Sequence, residues 1–132
     1  MQDFSYGFET LLADTNVDDA IARVTAALGA EGFGVLTRID VKETLRKKLG
    51  VDVDPYVILG ACNPKLAHRA LQAEPQIGLM LPCNVVVKAE GSGARVSFAD
   101  PKAMFQMVDR PELAPIAEEA EGRLRRAAAA LG

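Results

Sequence analysis

The stretch LMLPCNVVVKAEGSGARVSF, Leu79 to Phe98, decides the fold. Two runs rich in valine and other strand formers flank Gly-Ser-Gly at 91 to 93, which is the pattern of a β-hairpin. A direct strand-to-strand connection excludes a wholly parallel sheet. Pro82 has no N–H to give to a ladder, so it belongs at a bulge, at an edge or at the start of the paired part. Strand alternation sets Cys83 with Leu81, Val85 and Val87 on one side and Asn84 with Lys88 and Glu90 on the other.

Upstream, VDVDP at 51 to 55 is a loop and YVILGAC, Tyr56 to Cys62, is a strand. Asn63 followed by Pro64 is an N-cap with proline at the first helical position. Leu66, Ala67, Ala70 and Leu71 form that helix's inner face, and Pro75 lies beyond its end. Asp40 and Glu43 have capping-box spacing, Leu45 and Leu49 continue a short helix, and Gly50 ends it. Lys42, Arg46, Lys47 and Lys48 on this helix form a solvated face, because no aromatic side chains interleave to stack on bases.

A strand at Phe33 to Ile39 places Phe33, Val35, Thr37 and Ile39 on one side. Val17, Ala20, Ile21, Val24 and Leu28 recur at helical spacing behind Thr15 or Asn16, predicting a helix over about 16–31 that Gly32 stops. The opening FSYGFET alternates Phe4, Tyr6 and Phe8, as in one half-buried strand. Downstream, Asp100-Pro101 opens a short helix through Met104 and Met107. Residues 112 to about 131 then form the longest helix, with Leu113, Ile116, Ala117, Ala120, Leu124, Ala127 and Leu131 on one face. Its charges run from glutamates to arginines, matching the helix dipole, with Glu119–Arg123 and Glu121–Arg125 as i,i+4 pairs.

The order β-α-β-α-β-α-β-β-α-α gives an α+β domain, with helices packed on one face of an antiparallel or mixed sheet. The 132 residues support one core and bury about two-thirds of the chain's surface. An apolar share of 49% with 25% charged residues excludes intrinsic disorder. The net charge of −3 argues against a nucleic-acid partner, since phosphate binding draws on accumulated positive charge. No stretch has the length of a membrane span, and the start carries Asp3 and Glu9 where a signal peptide is apolar. A cytoplasmic location with both cysteines reduced follows as the expectation. The uncovered sheet face calls for a second copy, so a homodimer is expected.

Two segments carry the suggestive chemistry, GACNP at 60–64 and LPCNV at 81–85. Cys62 precedes a helix N-terminus, where exposed N–H groups favour a thiolate. It reads also, and more simply, as a small apolar strand residue beside a capping Asn63. His68, the single histidine, lies one and a half turns into the same helix, as a weak partner or a plain surface residue. Cys83 is either an inert core thiol or part of a functional interruption with Asn84, since Pro-Cys-Asn breaks an otherwise ideal strand. No cofactor motif appears. Two cysteines and one histidine make no four-ligand zinc site, Gly-Ser-Gly precedes no helix, and no nucleophile elbow accompanies His68. Met80, Met104 and Met107 read as core filler.

The string PYVILGACNPKLAHRALQAEPQIGLMLPCNVVV, Pro55 to Val87, closely resembles the signature of the domain-of-unknown-function 302 family. The likeness extends over RIDVKETLRKKLGVD, Arg38 to Asp52, and weakly to both ends. The resemblance implies a small bacterial or archaeal cytoplasmic domain of TATA-binding-protein-like fold that forms dimers, with no established function. The expected role is a homodimeric small-ligand-binding or regulatory module whose site includes Cys62, Asn63, His68, Cys83 and Asn84. The alternatives are thiol chemistry at Cys62 or Cys83, or a purely structural assembly domain.

Overall fold

A computed structural model describes residues 1–132. Its centre is the expected hairpin of β5 (Cys83–Glu90) and β6 (Gly93–Ala99), joined by a two-residue turn with Gly91 at φ +57°. Around it, β1 (Gln2–Phe4), β2 (Gly7–Leu12), β3 (Gly34–Asp40) and β4 (Tyr56–Cys62) complete a six-stranded sheet. The strand order is β1-β2-β6-β5-β4-β3. Every neighbouring pair is antiparallel.

Helices α1 (Val17–Ala30) and α5 (Leu113–Leu131) cover one sheet face. Short alternating side chains reach that face from the strands: Phe8, Leu12, Val57, Leu59, Val85, Val87, Val96 and Phe98 are all buried. Helix α3 (Pro64–Ala73), α4 (Pro101–Phe105) and the first half of α5 enclose a separate, smaller cluster around Leu66, Ile77, Phe105, Leu113 and Ile116. Helix α2 (Val41–Leu49) buries none of its residues. No helix is long and apolar enough to cross a membrane.

The caps form as the side-chain chemistry dictates. Asn16 accepts from the Asp19 N–H at 2.8 Å, and Asp40 accepts from the Glu43 N–H at 3.0 Å. Gly50 takes the left-handed conformation that closes α2. On α2, Lys42 pairs with Asp52 and Lys47 with Glu43, and Arg46, Lys47 and Lys48 lie exposed.

Four local expectations are corrected. FSYGFET is a hairpin rather than one strand. The chain turns at Ser5-Tyr6 and pairs Phe4 with Gly7. Phe8 then enters the core, whereas Tyr6 is 66% exposed. Gly7 permits this, because a Cβ there would lie 2.7 Å from the Phe4 ring folded over it. In β3 a bulge between Val35 and Thr37 breaks the alternation. Val35 joins the core side, while Thr37 and Ile39 turn outward with their partners Gly60 and Ile58. The chain before the hairpin is not strand until Cys83, since Pro75–Met80 close into a 3₁₀ helix. Finally, α4 ends at Phe105, and Met107, beyond it, is 74% exposed rather than core filler.

Candidate functional site

The two cysteine segments are side by side in the sheet. In the β4–β5 ladder Ala61 opposes Cys83 and Gly60 opposes Asn84, so residues 60–62 meet residues 82–84 across one pair of strands. Their fit is steric. Gly60 has no side chain, and a Cβ there would lie 2.7 Å from the Pro82 Cγ and closer still to the Thr37 Oγ1. The proline that interrupts the strand pattern therefore has a seat, supplied by the glycine of the other segment. Pro82 stands just ahead of the paired part of β5, with a cis bond to Leu81.

Asn63 is committed to the backbone. Its Oδ1 accepts from the Leu66 N–H at 3.3 Å, and its Nδ2 donates to the Glu31 carbonyl at 3.5 Å. Arg123 Nη1 donates to the same carbonyl at 3.3 Å. This joins the start of α3, the end of α1 and the middle of α5. Gly32, at φ +83°, keeps the approach open, because a Cβ would sit 2.9 Å from Asn63 Nδ2.

Cys62 and Cys83 both line a small cavity of about 30 Å³ at the seam between the sheet core and the helical cluster. Phe33 and Ala61 wall it from the sheet side, Leu66, Ala67 and Ala70 from α3, and Phe105, Ile116 and Ala120 from α4 and α5. Asn63 is the one amide on the wall, and no charged side chain reaches it. A second hollow of about 280 Å³ lies on the surface side, bounded by Leu79, Met80, Pro82, Asn84, Ala99 and Met104. Leu81, Cys83, Pro101 and Phe105 line both spaces and form the partition between them.

His68 is exposed on α3 and lines neither space, so no cysteine–histidine pair is assembled. Asn84 is exposed on the opposite sheet face from Cys83 and reaches only the outer hollow. Of the five residues singled out from sequence, the inner cavity collects Cys62, Asn63 and Cys83. No cluster of three or more metal-ligating side chains exists. Sequence reasoning missed Phe33, Pro101, Phe105, Ile116 and Ala120. Their one legible signal was the small alanines on the inner faces of α3 and α5.

Burial raises the pKa of both thiols. Cys62 is pushed up by desolvation alone. Cys83 is pushed up to about 11, mainly by desolvation and then by the proximity of Cys62. Both free thiols are thus held protonated near neutrality. The raised value has a consequence for stability. Its contribution is fully present below the ordinary thiol value of 9.0 and is lost as pH rises through about 11. Between those values the wild type is expected to lose about 3 kcal/mol relative to Cys83→Ala. Urea unfolding of the two proteins along that pH range is the check, and parallel stability curves would contradict it.

The family model described as "Domain of unknown function DUF302" matches residues 8–131. The chain belongs to the DUF302 family. Among solved structures, it is similar to an uncharacterized conserved DUF302 protein from Bacillus stearothermophilus. Sequence identity is 33% and the TM-score 0.88, covering 96% of this chain and 98% of that one. No curated protein matches it. The DUF302 likeness thus agrees with the fold described above, an α+β arrangement with a six-stranded antiparallel sheet and helices on one face.

Proposed function

We propose that this DUF302 chain is a small-ligand-binding module of the cytoplasm, with its site at the seam cavity. The observation that carries this reading is the convergence of GACNP and LPCNV on one unfilled space between two hydrophobic clusters. A hollow between two packed clusters forfeits dispersion contacts across it, and the small side chains of Ala61, Ala67, Ala70 and Ala120 leave it room. Its uncharged wall suits binding better than proton transfer. Thiol chemistry as the main role would need a depressed thiolate pKa, and both cysteines are shifted the other way.

Thermal unfolding of the wild type and of Ala120→Val and Ala67→Val, with and without a panel of small apolar and amphiphilic compounds, tests the site. A ligand present at 100 times its Kd should raise wild-type stability by about 2.7 kcal/mol. The added methyls should abolish that gain while the variants remain folded. If no compound shifts the wild type, or if the variants respond equally, the reading fails.

The module works as a homodimer, packed through the sheet face that α1 and α5 leave bare. Leu11, Ile39, Tyr56, Ile58 and Val86 lie on that face, with Leu11 and Ile39 well exposed. Its charges cancel locally, since Arg95 bridges Glu9 and Glu90 and its cross-strand neighbour Lys88 supplies the second positive charge. Two copies can therefore meet there without like-charge repulsion. Sedimentation analysis should give a dimer for the wild type and a monomer for Val86→Asp. A monomeric wild type would overturn the dimer.

A further inference from the structure

The two spaces either side of Leu81, Cys83, Pro101 and Phe105 differ in a way that defines what fits them. The inner one, about 30 Å³, has room for little more than a terminal methyl or methylene group. The outer one, about 280 Å³, takes a longer body. It is open at Leu79, which is 87% exposed, and two methionines, Met80 and Met104, give it an adaptable apolar wall. No Lys, Arg, His, Asp or Glu lines either space. A charged group drawn into either space would therefore lose hydration without gaining a counter-charge, and one left at the mouth would find no cation to hold it. The polar side chain at the outer space is Asn84, whose amide both donates and accepts and is exposed.

We propose that the ligand is a slender, unbranched aliphatic chain with an uncharged hydrogen-bonding head, such as an alcohol or amide. Its tail passes between Leu81 and Phe105 into the seam cavity, and its head stays at Asn84. This inference rests on the reading of the seam cavity as a ligand site and names that site's ligand class. The narrow inner end excludes rings and branched chains. The uncharged wall disfavours fatty-acid anions and phosphorylated compounds.

Titration calorimetry with the n-alkanols from butanol to decanol tests the class. Affinity should rise about fourfold per added methylene and then level off once the two spaces are full. The carboxylates of matching length and the tert-alkyl isomers should bind at least tenfold more weakly. Asn84→Ala, a substitution on the bare sheet face that leaves the core untouched, should leave the sedimentation behaviour unchanged, weaken every alkanol by about two- to tenfold and keep the per-methylene slope. An unaltered affinity in Asn84→Ala would overturn the placement of the head. Binding of compact aromatic probes that Ala120→Val abolishes, with no chain-length dependence among the alkanols, would overturn the ligand class while leaving the site intact. Failure of every probe, compact or extended, would overturn the site itself.

Discussion

Replacing Gly60 by valine should destabilise the protein by about 3 kcal/mol, at the upper end of the range for overpacking a tight interior. The new Cβ would lie 2.7 Å from Pro82 Cγ and closer to Thr37 Oγ1, and valine adds two more carbons beyond it. The better strand propensity of valine offsets at most about 1 kcal/mol of this. Thr37 lies in β3 and Pro82 just ahead of β5, the two strands that flank β4, so relief requires one neighbouring segment to shift away. A double-mutant cycle with Pro82→Ala isolates the cause. Removing the proline ring should recover part of the loss, with a coupling energy of about 1 kcal/mol or more. Urea unfolding of the four proteins measures it. Strict additivity would mean that the glycine of one segment and the proline of the other are not steric complements.

Phe98→Ala should cost about 3–5 kcal/mol, the range for truncating a fully buried aromatic residue. Phe98 is 1% exposed and stacks on Phe8 at 5.4 Å between ring centroids. The far side of the pair is closed by Arg125, whose guanidinium sits 4.3 Å from the Phe8 centroid while pairing with Asp3 and Glu121. The truncation therefore leaves a cavity that neither ring nor cation can readily refill. Marginal domains of this size hold about 5–15 kcal/mol in all, so the variant should lie near the edge of folding. Chemical unfolding monitored by circular dichroism is the check. A loss below about 1 kcal/mol would show that the sheet core repacks freely.

Legibility from sequence followed the range of the interaction. Asp40, Asn63 and Asp100 were readable as caps because a cap is satisfied within three residues, and the choice between Thr15 and Asn16 falls to Asn16. The apolar face of α5 was readable because its period is internal to the helix. FSYGFET misled because alternation cannot tell one strand from two that turn back, and the choice depended on Phe4 covering Gly7 across the hairpin. The bulge at Leu36 was invisible for the same kind of reason, since register is set by the partner strand β4. In the candidate site, Cys62 and Cys83 stood out by residue type. Their shared cavity did not, because its far wall comes from Phe105, Ile116 and Ala120, residues with no chemical mark of their own. The irregular Pro82, which from sequence alone stood open between a functional and a structural reading, has a packing explanation in Gly60.

Alanine-methyl NMR of the protein titrated with hexanol reads directly whether the space between the two cysteine segments admits a ligand. Ala61, Ala67, Ala70 and Ala120 line the seam cavity, whereas Ala89 and Ala94 lie at the opposite end of the sheet. The first four methyl signals are expected to shift together along one saturable curve while the last two stay in place. Unmoved cavity methyls at saturating hexanol, or shifts confined to the bare sheet face, would contradict a ligand site in the seam cavity.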